Sequence, residues 1–364
     1  MSVFMITGSK RSPFLSWFTE GLKEKFSTEG YKYCEEPVDD IRLVFNLIDK
    51  DKPRPFRRKA QATFVISILE QNEETVNTFE SAYPYLIRSL ANHLIYIIHN
   101  DEKTEVYFIT PEQGFYKMKY QMDEGETAFF NNIYERLEPV ASAQLVINND
   151  FNDNLHMDLW KGNEITEKMY LSGKKLDEMN LLPAPFPLEN YLSPRDMRQL
   201  KKLYGIGGLS YGNLSSRQDE VNFWMSASGI DKSNMRIIGQ DILYINGFNP
   251  DKNAMEISVP PNITPKRASV DAIEHWMIYK EHPKVGAIVH IHAWIDGVQA
   301  TEINYPCGTI QLAKVVADLV RISEDPSRAI IGLKNHGLTI TGRNLDDIFE
   351  RIEGRILSQV PMSG

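Results

Sequence analysis

Residues 286–294 read Gly-Ala-Ile-Val-His-Ile-His-Ala-Trp (GAIVHIHAW), an apolar run that contains two of the chain's eight histidines. The run predicts a β-strand from Val285 to His292, in which successive side chains point to opposite faces. One face then carries His290 and His292 side by side, with their Cα atoms roughly 6–7 Å apart. This spacing allows both rings to bind one metal ion, and it equally fits a strand end that opens to water.

A second histidine motif, LKNHGLTITG, occupies residues 333–342. The segments Ile330–Lys334 and Leu338–Thr341 are apolar and are predicted to be extended, with Asn335-His336-Gly337 as the turn between them. Such a turn places His336 at the end of strands, where neighbouring strands can meet it. We therefore predict His336 as a third ligand, because three imidazoles with one open position are typical of a catalytic zinc site.

The composition is that of a globular protein long enough for two domains: 364 residues, 42% hydrophobic and 24% charged. The net charge of −9, without a dense cluster of Lys and Arg, argues against nucleic acid and favours a small-molecule substrate. Cys34 and Cys307, the two cysteines, are far apart in the sequence and indicate a reducing compartment. The sequence shows no signal peptide and no run of about 18 apolar residues, so we expect a cytoplasmic protein without a membrane segment.

A proline-rich stretch, Met179–Pro194 (MNLLPAPFPLENYLSP), predicts a domain boundary, because its four prolines disfavour helix and central strand. We assign residues 1–185 to a first domain of α/β or α+β type and residues 186–364 to a second domain. Apolar runs and helical spacing in the first domain predict strands and helices. The strands are Arg42–Ile48, Thr63–Leu69, Leu94–Ile98 and Glu105–Thr110, and the helices are Phe14–Phe26, Thr75–Ala91 and Glu124–Leu137.

The segment Phe4–Pro13 (FMITGSKRSP) predicts a strand, a Gly/Ser turn and the start of a helix. A helix N-terminus of this kind can hold an anion. The established phosphate-loop patterns G-x-G-x-x-G and G-x-x-x-x-G-K-[ST] are absent, and Ser-Pro is an ordinary helix start. We therefore favour capping over phosphate binding and assign no site to the first domain.

Six segments between Leu192 and Ile356 occur in an order known from one family. They are Gly212–Ser215 (GNLS), Ser226–Asp231 (SASGID), Ser269–His275, the His290/His292 pair, Pro306–Thr309 (PCGT) and Asn335–Gly337 (NHG). On these segments the sequence resembles the class II aldolase and adducin family. The resemblance implies an α/β/α sandwich around a mainly antiparallel central sheet, assembled as a homo-oligomer, commonly a tetramer with active sites between subunits.

The resemblance also implies roles for individual residues. The family binds a divalent cation, normally zinc, through histidines that correspond to His290, His292 and His336. In the fuculose-phosphate aldolase branch, an acidic residue four positions before a helix histidine is a fourth ligand or proton shuttle, which points to Asp271 before His275. Read without the family, Asp271 is a helix N-cap and His275 a supporting or packing residue.

The family's phosphate cradle of backbone amides and small polar side chains corresponds to Gly212, Asn213, Ser228, Gly229 and Ser269. Each of these residues would otherwise be read as part of an ordinary turn.

Three departures from the family pattern bear on the substrate. Val270 stands where phosphosugar aldolases have a second serine, so one phosphate-binding hydroxyl is missing. Gln311-Leu-Ala313 lacks the His-Ala-Asp of the ribulose-phosphate epimerases. No tyrosine follows Tyr305, so the C-terminal catalytic tyrosine of the sugar-phosphate enzymes is absent.

We therefore predict a metal-dependent, aldolase-type lyase. It would cleave or form a C–C bond in a small hydroxy-carbonyl substrate, a sugar or sugar phosphate, by way of an enediolate that the cation stabilises. The alternatives are an epimerase or dehydratase of the same superfamily and a non-catalytic scaffold as in adducin. Retention of all three histidines disfavours the scaffold.

Overall fold

The computed structural model describes residues 2–39, 41–59, 63–111, 114–120, 125–146, 148–183, 188–204, 210–358 and 360–361. The chain forms two compact units. The first consists mainly of Met1–Ser142 and Phe186–Tyr204, and the second of Ala143–Pro185 and Gly205–Pro361.

The first unit is built on one sheet. Its elements up to residue 142 are β1 (Val3–Gly8), α1 (Pro13–Thr28), β2 (Lys32–Tyr33), β3 (Ile41–Leu47), β4 (Phe64–Gln71), α2 (Thr78–Arg88), β5 (His93–His99), β6 (Thr104–Thr110), β7 (Gly114–Lys119) and α3 (Gly125–Ser142). The strand order is β2-β1-β3-β4-β5-β6-β7. The pairs from β2 to β5 are parallel, and those from β5 to β7 are antiparallel.

The strands and helices predicted for this region are present as β3 to β6 and α1 to α3. Helix α1 begins as expected, because the side chain of Ser12 accepts a hydrogen bond from the backbone N–H of Leu15, and Pro13 is the first helical residue. Helix α2 is shorter than predicted at both ends. The predicted start of α3, Glu124, lies outside the described residues.

The remaining elements begin at residue 148. They are β8 (Asn148–Asn152), α4 (Glu164–Glu178), α5 (Leu188–Tyr191), α6 (Pro194–Tyr204), β9 (Asn213–Arg217), β10 (Phe223–Ser226), β11 (Ile242–Asn249), β12 (Ala254–Ser258), α7 (Ala272–Glu281), β13 (Ala287–Ile291), β14 (Gln299–Ala300), α8 (Ile310–Ile322), β15 (Ile330–Leu333), β16 (Gly337–Gly342) and α9 (Leu345–Ile352). Helices α5 and α6 belong to the first unit, and the other elements belong to the second.

The sheet of the second unit has the order β14-β15-β16-β13-β9-β10-β11-β12-β8. Its outermost pairs, β14/β15 and β12/β8, are parallel, and the pairs between them are antiparallel. The sheet is therefore mixed: to the antiparallel pairing predicted from the sequence it adds a parallel pair at each edge. Strand β13 lies inside it, and all five of its residues are buried.

Helices cover both faces of this sheet. On β16, the Thr339 hydroxyl donates to Glu274 of α7. Gly342, three residues later, lies against Ile348 of α9. Because strand residues an odd number apart point to opposite faces, α7 and α9 pack on opposite sides.

Each unit consists of more than one segment of the chain, whereas the sequence predicted a single boundary at 185/186. Residues 143–185 belong to the second unit, and Phe186–Tyr204 returns to the first. The reason is long-range pairing: β8 joins β12, whereas in α6 Asp196 forms an ion pair with Arg88 of α2. Residues 184–187, within the proline-rich stretch, lie outside the described part of the chain. Among the described residues, no helix is long and apolar enough to cross a membrane.

Candidate metal centre

Three neighbouring strands of the second unit place polar side chains in one row. His290 on β13 is paired with Asn213 at the start of β9 on one side and with Thr339 of β16 on the other. Directly opposed residues of antiparallel strands share a face. The three side chains therefore lie on the face that α7 covers, and all three are buried.

His292 and His336 join His290 at the end of this row. His292 follows β13 by one residue, and His336 lies in the turn between β15 and β16, as the Asn-His-Gly motif predicted. The Nε2 atoms of His290 and His336 are 3.0 Å apart, and those of His336 and His292 are 3.2 Å apart. The ligand atoms of the three residues all lie within 4.8 Å of one another, so the group can hold a metal ion.

The donor set suits a cation better than hydrogen bonds between the rings. Nδ1 of His290 lies 3.0 Å from the carbonyl oxygen of Leu338, which only accepts, so Nδ1 carries the proton and Nε2 presents a lone pair. A single proton on Nε2 of His336 can be donated to only one of its two neighbours. A cation satisfies all three nitrogens, and ligands bound at 2.0–2.1 Å in a tetrahedron are about 3.3 Å apart, close to the separations seen.

The environment keeps the three imidazoles neutral, as metal ligands must be. Burial lowers the pKa of His290, His292 and His336 below their ordinary value of 6.5. The neighbouring histidines lower the pKa of His292 and His336 further, and Lys232 does the same for His290 and His292.

Asp271 lies immediately before α7, where the capping interpretation put it, but its side chain makes no capping hydrogen bond. Its Oδ2 instead accepts a hydrogen bond of 2.7 Å from Nδ2 of Asn213. The same Nδ2 lies 3.1 Å from Oγ of Ser269. Since Asn213 is paired with His290, this contact holds the buried carboxylate beside the triad, and its charge acts on His290.

A second carboxyl group, Glu274, lies one helical turn after Asp271. It is 2% exposed, and its Oε1 accepts a hydrogen bond of 2.6 Å from Thr339. Its Oε2 has no hydrogen-bond partner within the described residues. Burial raises the pKa of Glu274 above the ordinary 4.5, and the charge of Asp271 raises it further, so the group is held in its neutral form.

His275 supports α7 against β9. Its Nδ1 lies 2.8 Å from Oγ of Ser215, which is also 2.8 Å from the hydroxyl of Tyr279. Burial lowers the pKa of His275 to about 3. A neutral, hydrogen-bonded His275 fits the supporting role predicted for it.

Lys232 brings a cation that sequence analysis did not single out. The side chain is 2% exposed, and its ammonium donates to the carbonyl of Ser210 at 2.7 Å. Ser210 precedes Tyr211, whose ring packs edge-on against His292 at 5.4 Å. Burial lowers the pKa of Lys232 to about 7, although Asp231 and Asp271 act in the opposite direction.

Cys307 also lies at the site. Its Sγ is 2.9 Å from Nδ1 of His336 and 3.6 Å from Nε2 of the same ring. In both His290 and His336 the partner outside the triad, the Leu338 carbonyl or the Cys307 thiol, contacts Nδ1. The Nε2 atom of each ring is therefore left directed to the centre of the triad. The PCGT motif was the one signal in the sequence that could have drawn attention to Cys307.

The residues assigned to a phosphate cradle fall into two groups. Asn213 and Ser269 lie with Asp271, as described. Gly212 has φ +65°, and a Cβ on it would lie 2.3 Å from the carbonyl oxygen of His290, so glycine lets the start of β9 approach β13 closely. Ser228 and Gly229 form a turn in which the N–H of Ser228 donates to the carbonyl of Arg267. Ser228 is exposed and Gly229 half-buried.

Comparison with known proteins finds similarity to one family. Residues 197–300 match the model of the class II aldolase and adducin N-terminal domain. The chain is 27% identical over 123 residues to the L-fuculose phosphate aldolase of Methanocaldococcus jannaschii, covering 30% of this chain and 68% of the relative. It is 23% identical over 172 residues to the methylthioribulose-1-phosphate dehydratase of Citrobacter koseri, covering 39% of this chain and 78% of the relative.

Among solved structures, an L-fuculose 1-phosphate aldolase matches with 19% identity and a TM-score of 0.37, covering 53% of this chain and 81% of that one. The family match includes His290, His292 and Asp271, whereas His336 lies beyond it. In the C-terminal part of this chain, residues 197–300 therefore match the class II aldolase and adducin family.

Proposed function

We propose that the chain is a metal-dependent lyase of aldolase type, which cleaves or forms a C–C bond in a hydroxy-carbonyl substrate. The observation that carries the proposal is the convergence of three Nε2 atoms next to a buried carboxylate, Asp271, that is fixed by Asn213. A divalent cation held by the triad would withdraw electrons from a substrate carbonyl and its adjacent hydroxyl, and so stabilise an enediolate. By its donor set we propose zinc.

The protein side chains must move two protons. Cleavage removes a proton from the hydroxyl that becomes the released aldehyde and delivers a proton to the carbon of the remaining enediolate. Asp271 is our candidate for one of these transfers, because Asn213 orients its carboxylate and its negative charge acts on His290. Gly212, Asn213, Ser228, Gly229 and Ser269 stay our candidates for binding a substrate anion.

Dehydration of a sugar derivative is the second candidate reaction. It is favoured by the similarity to a relative named methylthioribulose-1-phosphate dehydratase. Both reactions start from a hydroxy-carbonyl compound and benefit from the same stabilised enediolate, so the triad does not separate them. Lyase chemistry is thus common to both, and the bond that breaks distinguishes them.

A substrate screen tests the proposal. Metal-loaded protein is incubated with phosphorylated and unphosphorylated ketoses, and each product mixture is analysed for aldehyde release and for loss of water. We expect aldehyde release that disappears in His290→Ala/His292→Ala. Loss of water without aldehyde would make the protein a dehydratase, and a well-folded protein that takes up no metal would support the adducin-like scaffold. Homo-oligomerisation and a cytoplasmic location stay predictions, the first of which light scattering tests.

A further inference from the structure

The first unit has a cavity of about 510 Å³ at the carboxyl ends of β1 and β3. Thr7 and Gly8 from the end of β1 and Asn46 and Leu47 from the end of β3 line it. Gly8 has φ +100°, and a Cβ on it would lie 2.3 Å from the carbonyl oxygen of Leu47, so the two strand ends approach closely only with glycine here.

This cavity lies at the point where the strand order of the parallel part of the sheet reverses. The chain leaves β1 toward β2 on one side and leaves β3 toward β4 on the other. In open α/β sheets, ligands bind in the crevice outside the carboxyl ends of strands at such a switch point. The volume is also in the range typical of sites for small organic molecules, about 300–1,000 Å³.

The cavity concentrates positive charge in a chain whose net charge is −9. Arg11, Lys52, Arg54 and Arg57 line it together with one acidic residue, Asp49. Asp49 is already neutralised, since it forms an ion pair with Arg11 and accepts hydrogen bonds from two backbone N–H groups. Within the described residues, Lys52, Arg54 and Arg57 form no ion pair, so three positive charges remain for a ligand.

The loop that carries these cations is anchored at three points. Asp49 binds the N–H groups of Asp51 and Lys52, and the buried amide of Asn46 donates to the carbonyl of Arg54 at 3.0 Å. Arg58 donates to Asn92 at 2.6 Å. These contacts hold the backbone of the loop in place, which lowers the entropic cost of binding.

We propose that this cavity binds a phosphate-containing small molecule with at least two negative charges. Guanidinium groups pair with phosphate oxygens through two parallel hydrogen bonds. Arg54 and Arg57, which form no ion pair within the described residues, could bind a phosphate in this way. The half-buried ring of Phe56, which also lines the cavity, provides an apolar surface for the organic part of such a ligand. The N-terminus of α1 is not required, because Ser12 caps it and Pro13 has no N–H.

Isothermal titration of the full chain with pyrophosphate tests the proposal, since this probe carries the required negative charges without an organic part. We expect saturable binding at concentrations up to about 1 mM, weakened at least about tenfold in Arg54→Gln/Arg57→Gln because two charge-assisted contacts are lost. The matched control is Lys32→Gln/Arg42→Gln, which removes the same charge from exposed positions near the amino ends of β2 and β3. This control should change the affinity by less than about twofold, because salt screens distant charges.

Results of two kinds would overturn the site. The first kind is absence of saturable binding to the unaltered protein, or an equal loss of affinity in Arg54→Gln/Arg57→Gln and in the control. The second is loss of binding in His290→Ala/His292→Ala with retention in Arg54→Gln/Arg57→Gln, which would move the pyrophosphate to the second unit. We expect His290→Ala/His292→Ala to retain pyrophosphate binding. This result does not depend on whether the protein is a lyase.

Discussion

The Nε2 atoms of His290 and His336 lie 3.0 Å apart, although 46 positions separate the two residues in the chain. Strand β13 carries the first, and the turn before its neighbour β16 carries the second. The antiparallel pairing of these strands therefore creates the contact. His292 completes the group, with its Nε2 atom 3.2 Å from that of His336.

Replacing Asp271 by Asn should remove a proton carrier while preserving the size of the side chain. We expect turnover on the best substrate to fall on the order of 10²–10⁴-fold, with the bound metal retained. Rate measurements together with metal analysis check this, and Asp318→Asn, which changes a half-buried carboxylate on α8 that pairs with Arg321, is the control. Unchanged turnover in a metal-replete Asp271→Asn protein would exclude the proton-transfer role.

Cys307 should orient His336 through its contact with Nδ1. Removing such a partner of a metal-bound histidine typically weakens metal binding about 10–100-fold, and we expect this for Cys307→Ala. Cys307→Ser, which keeps a hydrogen-bonding atom, should recover part of the affinity. Metal titration provides the measurement, with Cys34→Ala in the first unit as the control. Equal metal affinity in all three variants would show that Cys307 does not position the ring.

The raised pKa of Glu274 predicts a pH dependence of stability in metal-free protein. The folded state keeps the proton to higher pH than the unfolded state, whose pKa is near the ordinary 4.5. The stabilisation from this proton is complete below that value and is lost as pH rises toward the raised pKa.

Glu274→Gln removes this titration. We expect the variant to gain on the order of 1–3 kcal/mol in the free energy of unfolding, relative to the unaltered chain, at the upper end of this pH range. Urea unfolding at several pH values checks this, with the exposed Glu302→Gln as the control. A parallel pH dependence of the unaltered chain and Glu274→Gln would contradict the assignment of a buried neutral carboxyl.

Gly212 and Gly297 form a matched pair of variants that tests the packing of β9 against β13. Both have positive φ, but a Cβ at Gly297 meets nothing within 4 Å, whereas one at Gly212 meets the carbonyl of His290. Gly297→Ala should therefore cost about 1 kcal/mol for the backbone conformation alone. Gly212→Ala should cost at least about 2 kcal/mol and weaken metal binding. Equal unfolding free energies for the two variants would contradict the close approach.

The convergence of the three histidines could be predicted because each position follows from a local pattern in the sequence. Alternation along GAIVHIHAW places His290 and His292 on one side, and the NHG turn places His336 at a strand end. In contrast, β8 (NNDFN) has no apolar alternation, and only its pairing with β12 makes it a strand. This pairing depends on contacts more than 100 residues apart, so the position of residues 143–185 could not be predicted.

The neighbours of the triad were missed for a similar reason. Cys307 reaches His336 from a separate loop, and Lys232 reaches the Ser210 carbonyl from another, so no sequence spacing relates them to the histidines. Glu274 did carry a local signal. It lies four residues before the buried Ile278 on the same helical face, where a charged residue is unusual and suggests a buried, neutral group.

Metal content tests the central claim most directly. The full chain, purified without added chelator and then equilibrated with zinc, should bind about one ion per chain, since the triad offers three ligands and leaves one position open. His290→Ala/His292→Ala should lose it, while His156→Ala, an exposed histidine elsewhere in the second unit, should keep it. Elemental analysis after dialysis provides the number of zinc ions bound per chain. Stoichiometric metal retained by the folded double variant, or none taken up by the unaltered chain, would contradict the account.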